Sequence, residues 1–597
     1  MASQNIAFDQ IPASIRKPGQ YFEFNTKLAL RTLPANLQKM LVIGQRTSAA
    51  TVPALVPTQI FGDADAEAYF GVGSIAHLMA RAAITAYPYL DLTVIALDDA
   101  LAGQAATGSV TVTGPATSSG TFSLFIGDVE IDIAVAKDEA ANDIASALAA
   151  ELDNHPDLPV IASVDGAVVT LTARNRGVCG NAIGLACAVS AGGVGIVNAV
   201  AAKGTITMVG VATADQTFAI GAQTFTWKAA RAALPGGAGQ VTIGAGADQA
   251  CTNIIAAVTA DLATVTAKRG PGNTVIITSV TPGAAGNNLI FTTASTNMGV
   301  DGAGKLGGTT SGADAACTSM TGGATDPDVK DALDAVFAKQ YNIVAIPYNN
   351  STALGKVADY LDSVSGPIEE RPGMAYYAFT GALGDATTLA GEVNHGRISG
   401  AHLRYSAATS LRSMPCEIAA AYAAVCASEE DPARPLNTLP LAGIAPPNIN
   451  DRLSRTEQES ELHNGVSPLE VGPGENVQIV RAISTYTVNA SNIPDISMLD
   501  ITTIRTLDYF REACRERIAL RFPREKLSSK TPDKVRAELL DVATLCEDLE
   551  IVENVDANKD GLVVERDLQD PNRLDAKIPA DVVNGLHVFA GRIDLIL

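Results

Sequence analysis

Residues 103–325 contain 32 of the chain's 52 glycines, and one pattern occurs twice within them. Gly108-Ser-Val-Thr-Val-Thr-Gly114, with Thr117 and Thr121-Phe122, returns as Gly204-Thr-Ile-Thr-Met-Val-Gly210 with Thr213 and Thr217-Phe218, 96 residues later. Asp143-Ile144 and Leu152 correspond to Asn253-Ile254 and Leu262 at an offset of 110. Val169 to Thr172 with Gly180-Asn181 correspond to Val275 to Thr278 with Gly286-Asn287 at an offset of 106. The extra residues fall in Arg231 to Gly244, a Gly-rich stretch where a loop lengthens at little entropic cost. Two copies of a unit of about 100 residues predict a duplicated domain, because solenoids use shorter periods.

The flanks read differently. An amphipathic stretch from Gly73 to Ala86 precedes an apolar strand from Leu92 to Leu97, and Leu41 to Gly44 is a further short strand. Beyond the repeat, Val329 to Lys339 and Leu354 to Val364 are helical. Asn342 to Pro347 and Tyr376 to Thr380 are strands, and Glu417 to Ala427 is an Ala-rich helix. Alternating strands and helices predict a partly parallel sheet. The fold class expected is therefore α/β multidomain, a core domain interrupted by an inserted, internally duplicated β-rich α+β region. Asn476 to Val488 reads as paired strands, followed by helices from Leu499 to Arg521 and from Pro532 to Leu549.

Composition excludes several function classes. The 597 residues carry a net charge of −22, which opposes binding to phosphate backbones, and aromatics are 5% with one tryptophan, Trp227. Bilayer-spanning runs are absent, and Met1 to Gln20 lacks the pattern of a secretory leader. The eight cysteines (Cys179, Cys187, Cys251, Cys317, Cys416, Cys426, Cys514 and Cys546) lack zinc-site spacing and read mostly as buried thiols in a reducing compartment. Gly302-Ala-Gly304-Lys-Leu-Gly307 matches a dinucleotide fingerprint, but the following Gly308-Thr-Thr-Ser-Gly312 cannot open a helix, so a linker is expected. Asp556-Ala-Asn558-Lys-Asp560-Gly561 imitates half of a calcium loop. Its twelfth position is Asp567 rather than Glu, so a turn between strands is expected. His77, His155, His395, His402, His463 and His587 form no ligand motif, and they and the paired acids Asp98-Asp99 and Glu429-Glu430 are expected in solvated surface positions. No catalytic constellation, metal site or cofactor is expected.

Two features point to association instead. Between Thr502 and Lys530 lie Arg505, Arg511, Arg515, Arg517, Arg521, Arg524, Lys526 and Lys530 against four acids, a local net of +4. Either these charges are solvated, or they form a basic face for an acidic partner, including another copy of the chain. Near the C-terminus, Phe589, Ile593, Leu595 and Leu597 share one face of an extended run, with Arg592 and Asp594 on the other. Tyr21, Phe22 and Phe24 pose the same problem near the N-terminus. Apolar extended segments of this kind need a sheet to join, either within the subunit at Ile551 to Val555 or Leu562 to Arg566, or in a neighbour.

Several segments carry a family resemblance. Ile11-Pro-Ala-Ser-Ile15-Arg16 with Gly19-Gln-Tyr21-Phe-Glu-Phe24 is similar to the opening of tail sheath proteins of Mu-like contractile-tailed phages. So are Glu417 to Tyr422, Asp431 to Leu441, Ser484 to Asn489, Leu499 to Thr502 and Arg521 to Leu527. Most specific are Val563 to Arg566, Asp570 to Asp575 and Pro579 to Asn584. Many relatives have His after the Pro-Arg pair where this chain has Glu525. The resemblance covers roughly residues 1–100 and 330–597 and stops short of the repeat. It implies a non-enzymatic structural subunit of the virion, assembled in the host cytoplasm. Its partners would be other copies in stacked hexameric rings, the tail tube, the baseplate and the terminator, with no nucleic acid and no membrane insertion. Terminal arms would add strands to neighbouring subunits. Contraction would drive the tube through the host envelope for genome ejection. The expected division is an arm (1–30), a discontinuous core (31–102 plus 326–475), inserted copies 103–203 and 204–325, and a C-terminal domain (476–597). The insertion is expected to be peripheral and removable. A surface adhesin or carbohydrate-binding protein with duplicated β modules is the alternative, and a hydrolase the third option.

Overall fold

The computed structural model describes residues 17, 20, 33, 36–113, 115–116, 118–190, 195–197, 202–233, 236–280, 289–301, 306, 318–406 and 410–596. The chain gathers into two compact units, the larger spanning Gln38–Glu430, Pro435–Ile501 and Leu586–Leu597. The smaller is built around Thr502–Gly585 with Asp431–Arg434.

The larger unit starts from an apolar strand. β1 (Lys39–Gln45) is followed by β2 (Thr58–Ile60), helices α1 (Asp63–Phe70) and α2 (Ile75–Ala86), and β3 (Asp91–Leu97). Met40 to Ile43 are fully buried, as expected of a parallel strand covered on both faces. The Ser74 hydroxyl caps α2 by accepting the His77 N–H at 3.1 Å. α2 lies so close to β1 that a Cβ on Gly44 would stand 2.6 Å from Ala76 Cα.

The chain then leaves the sheet and builds the same fold twice. Copy 1 contains β4 (Ala105–Thr113), β5 (Gly120–Ile126), β6 (Val129–Val135), α3 (Ala141–Asp153), β7 (Val160–Asp165), β8 (Val168–Arg176), β9 (Leu185–Val189) and β10 (Gly195–Val197). Copy 2 contains β11 (Lys203–Met208), β12 (Thr217–Ile220), β13 (Gln223–Lys228), β14 (Gln240–Thr242), α4 (Ala247–Asp261), β15 (Val265–Arg269), β16 (Thr274–Ser279), β17 (Phe291–Thr293) and β18 (Met298–Val300). The first sheets run β10-β4-β8-β7 and β18-β11-β16-β15, and the second run β6-β5-β9 and β13-β12-β17. Only β14 is extra. It adds parallel to β13 within the stretch where copy 2 has its additional residues.

The repeated glycines have a packing reason. A Cβ on Gly108 would meet Leu185 Cδ1 at 2.6 Å, and one on Gly204 would meet Phe291 Cε1 at 2.6 Å. Leu185 and Phe291 are themselves 106 residues apart, on equivalent strands, so each glycine admits the same side chain of the facing sheet.

After copy 2, backbone from Thr318 to Ala324 returns antiparallel along β4, with bridges Thr107 to Thr321 and Gln104 to Ala324. Copy 2 is therefore nested inside copy 1's own sheet. The chain continues as α5 (Val329–Val336), β19 (Ile343–Ala345), α6 (Ser351–Ser365), β20 (Met374–Phe379), α7 (Leu383–Val393), β21 (Ile398–His402), α8 (Pro415–Ser428), α9 (Arg455–His463), β22 (Ser467–Val471) and β23 (Val477–Ile479). The sheet order is β2-β3-β1-β19-β20-β21-β22-β23, so β1 pairs with β3 before the insertion and with β19 after it. Every pair from β3 to β22 is parallel, and β2 and β23 close the edges antiparallel. α8 is buried all round, from Pro415 to Ala427.

In the smaller unit, α10 (Ile501–Arg521) packs on α11 (Thr531–Asp548) through Tyr509, Phe510, Ala513, Val535, Leu539 and Val542, and Leu33 joins this core. A two-stranded hairpin, β24 (Val563–Arg566) and β25 (Leu574–Lys577), completes it. Its longest stretch is Thr502–Gly585, within the expected residues 476–597. Among the described residues no helix is long and apolar enough to cross a membrane. Cys187 is disulfide-bonded, unlike the buried thiols expected of the cysteines generally.

Candidate assembly surfaces

The half calcium loop is folded as a helix end. Val555–Asn558 is a helical turn continued by a 3-10 turn at Lys559–Gly561, and Lys559 Nζ pairs with Asp556 at 2.7 Å. The expected turn between strands is thus helical, and its acid is held by a lysine. The Gly302–Gly307 fingerprint lies largely outside the described residues. Among the described residues no group of three or more His, Cys, Asp or Glu is placed to hold a metal ion.

The expectation of solvated histidines and acid pairs holds for His463 and Asp98, 76% and 65% exposed at the side chain, but needs correction at His402, His77 and Asp99. His402 is fully buried at the end of β21, with Nδ1 on the Glu461 carboxylate of α9 and Nε2 donating to the Gly381 carbonyl at 3.0 Å. His77 is 1% exposed, and burial holds its pKa down despite the Asp63 carboxylate at 3.1 Å. Asp99 accepts from Gln45 Nε2 at 2.7 Å, Asn175 Nδ2 at 3.1 Å and the Arg176 N–H at 3.0 Å. Each polar group enters the interior with a partner, as burial demands. A single sequence does not disclose such partners, because they lie far away along the chain.

The basic helix α10 is largely neutralised from within its own unit. Arg517, 4% exposed at the side chain, pairs with Glu538 at 3.3 Å and Asp541 at 2.6 Å on α11, and Arg521 reaches Glu538 at 3.4 Å. Arg511 and Arg515 pair locally with Asp508 at 3.3 Å and Glu512 at 3.9 Å. Arg505 is buried and Arg524 is exposed. These residues do not form one open basic face. The acids of the next helix, spaced three apart at Glu538 and Asp541, were the overlooked signal.

The C-terminal segment is placed differently. Phe589, Ile593 and Leu595 are 88%, 98% and 83% exposed, and residues 583–596 form no regular secondary structure. His587 anchors its start, with Asn437 Nδ2 3.1 Å from Nδ1 and Asp500 at 3.6 Å. The in-chain strands proposed to receive this segment are otherwise engaged: β24 pairs with β25, and Val552 bridges Val582. Tyr21, Phe22, Phe24 and Leu597 lie outside the described residues.

Comparison with known proteins supplies the class. The description "phage tail sheath protein central domain" matches residues 322–485, and "phage tail sheath C-terminal domain" matches residues 494–596. Over these two stretches the chain matches the phage tail sheath family. Across 99% of its length and the whole of the relative, it is 28% identical to the Mu-like prophage FluMu tail sheath protein of Haemophilus influenzae. That alignment runs through the duplicated insertion, so the resemblance does not stop at its borders. Among solved structures it is similar to the sheath tail protein of Desulfitobacterium hafniense (12% identity, 95% of this chain and 97% of the other, TM-score 0.43). It is also similar to that of Listeria innocua (11% identity, 93% and 94%, TM-score 0.42). A contracted helical sheath of the anti-feeding prophage is 14% identical over 45% of this chain and 72% of the other, with a TM-score of 0.31.

Proposed function

We propose that the chain polymerises as stacked hexameric rings around a tail tube and contracts to drive that tube through the host envelope for genome ejection. It assembles in the host cytoplasm and meets the baseplate, the terminator and the tube protein without catalysing a reaction. The observation that carries this reading beyond the family resemblance is the exposed apolar segment Leu586–Ile596, which joins no strand of its own subunit. Donated to the open edge of a two-stranded hairpin such as β24–β25 in a neighbour, it would satisfy its backbone and bury Phe589, Ile593 and Leu595. Such strand links let subunits stay joined while a lattice shortens. Tyr21, Phe22, Phe24 and Leu597 belong to the same proposed arms, and Arg511, Arg515 and Arg524, with Arg505 behind them, to a subunit or tube contact.

Electron microscopy of the purified chain tests this. Tubes are expected, and removing Arg592–Leu597 should yield folded subunits that no longer build them. Truncated protein that still forms extended, contractile tubes would refute the strand-donation mechanism. Monodisperse full-length protein that binds glycans would instead support the adhesin alternative.

A further inference from the structure

The two copies share a fold but not a setting. In copy 1, the turn after β5 donates its Gly127 N–H to the Gly184 carbonyl at 2.9 Å. In copy 2, the turn after β12 repeats this bond from Gly221 to the Ile290 carbonyl at 2.7 Å. These backbone bonds align Gly184 with Ile290, the same offset of 106 that aligns Leu185 with Phe291.

In copy 1 this end is docked on the sheet domain of the same chain. The Arg412 N–H donates to the Gly127 carbonyl at 2.7 Å, Arg412 Nη2 reaches the Leu185 carbonyl at 3.3 Å, and a Cβ on Gly184 would meet Arg412 Cβ at 3.1 Å. At the end of β8, a Cβ on Gly73 would meet Arg174 Nε at 2.8 Å. Asn175 bonds the Ile75 N–H and the Arg46 carbonyl, each at 3.0 Å. The Arg176 N–H and Asn175 Nδ2 share Asp99.

Copy 2 replaces these docking residues. At the offset of 106, Arg174, Asn175, Arg176 and Gly184 become Val280, Thr281, Pro282 and Ile290. Val280 is 55% exposed and Ile290 is 51% exposed, so apolar side chains stand in solvent where copy 1 is docked. Neither Val280 nor Ile290 belongs to the hydrophobic cluster of copy 2 or to the partly buried residues packed against it, so these side chains are not part of its own core. The acceptor surface around Arg412 and Asp99 in the same chain is already taken by copy 1.

Charge indicates the occupant. Residues 103–201 carry ten acids and three bases, whereas residues 202–301 carry four acids (Asp215, Asp248, Asp261 and Asp301) and five bases (Lys203, Lys228, Arg231, Lys268 and Arg269). Copy 2 is thus near neutral in a chain of −22 and can approach that chain without the repulsion copy 1 would meet. We propose that the face of copy 2 bearing Val280, Ile290 and the Gly221-Ala222 turn docks on a second copy of this chain. The inference rests on the sheath assembly proposed above and adds a contact outside the terminal arms.

A photo-crosslinking residue placed at Ile290, in otherwise full-length protein, tests the contact. Assembled tubes should give a product joining two chains, and dispersed subunits should not. Val280→Lys with Ile290→Lys should raise the protein concentration needed for assembly at least ~tenfold, with the melting of dispersed subunits unchanged. Lys268→Ala, at an exposed position of β15, serves as the control and should change neither. Tubes that form without an Ile290 product between chains would overturn the inference while leaving the sheath reading intact. So would a product confined to one chain, or tubes of the double-lysine variant at the parent's concentration. A full-length parent that forms no tubes would fail the sheath reading first, and this inference with it.

Discussion

Arg517 shows why a count of charges along one helix misleads. Between Thr502 and Lys530 the bases outnumber the acids, yet Arg517 is 4% exposed and its guanidinium meets Glu538 and Asp541 of the following helix. Arg517→Ala removes the partner of two part-buried carboxylates and should cost about 3 kcal/mol, read as earlier unfolding of the helical unit in denaturant. Arg511→Ala, at a local pair within one helix and only partly buried, should cost less than about 1 kcal/mol on the same measurement. Glu417 makes the opposite case. Its carboxylate caps α8 by accepting the Met414 N–H at 2.9 Å, and burial, reinforced by Asp128, pushes its pKa from 4.5 to about 8. A carboxyl whose pKa rises on folding binds more protons folded than unfolded between those values, so its contribution to stability declines as pH climbs from 4.5 to 8. The melting temperature of the parent should therefore fall between about pH 5 and about pH 8. Glu417→Gln, which keeps an acceptor for the cap, should flatten that fall and melt higher than the parent at about pH 9. Parallel profiles for the two proteins would refute this. The acids that answer Arg517 stand three apart on the next helix and are visible in sequence, whereas the burial of Glu417 beside Asp128 depends on which segments the fold brings together.

Elements with a strong local signal are legible, and those stabilised by distant polar groups are not. The apolar face of Gly73 to Ala86 places α2 correctly because Ile75, Leu78, Met79 and Ala83 all turn inward. The Ala-rich stretch becomes α8, where small side chains let helix α2 and the strands of the sheet approach closely. Asn476 to Val488 is different: only Val477–Ile479 pairs as a strand, with Ser467–Val471. Beyond it, the Ser484 N–H goes to Leu499 and the Thr485 N–H to Ile398, while the Ser467 hydroxyl accepts the Ile483 N–H at 2.9 Å. Hydroxyls and scattered carbonyls replace the ladder there, so alternation of side chains predicts more strand than forms. The β1–α2 contact yields a prediction at this scale. Gly44→Ala would place a methyl 2.6 Å from Ala76 Cα and 2.8 Å from its N, backbone atoms that cannot swing aside. The helix must shift off the sheet, at a cost of about 1–3 kcal/mol, measurable as a lowered melting temperature of the larger unit. An alanine variant as stable as the parent would show that the helix rides more loosely than this distance implies.

At the scale of the whole molecule, the insertion is two things rather than one. The repeat in sequence makes both copies look like equivalent appendages, and matching motifs cannot reveal that, among the described residues, only the first is fastened to the sheet. Copy 1 is fastened by residues that belong to neither copy alone. Fully buried Gln45 donates to Asp99 at 2.7 Å and to the Arg176 carbonyl at 2.6 Å, and Arg81 pairs with Asp157 at 2.8 Å. The segment returning from copy 2 then lies along β4, with the Thr318 N–H donating to the Ser109 carbonyl at 3.1 Å. Removing residues 103–325 as one block would leave the Gln45 amide and the Ile75 N–H without these partners, at about 1–3 kcal/mol for each buried group. We therefore expect the whole insertion not to be dispensable for folding. Removing residues 202–306 alone, with a short Gly-Ser bridge from 201 to 307, should leave both sheets of copy 1, the returning segment and the eight-stranded sheet in place. That shorter deletion should melt cooperatively within a few degrees of the parent and resist limited proteolysis, whereas the block deletion should melt lower and be cut within the sheet domain. Equal behaviour of the two deletions would mean that the contacts of Gln45, Asn175 and Arg81 with copy 1 contribute little. Because copy 2 has its own hydrophobic cluster and enters through copy 1, its loss should be felt in assembly rather than in folding. That separates the part of the duplication the subunit needs in order to stand from the part it offers to a neighbour.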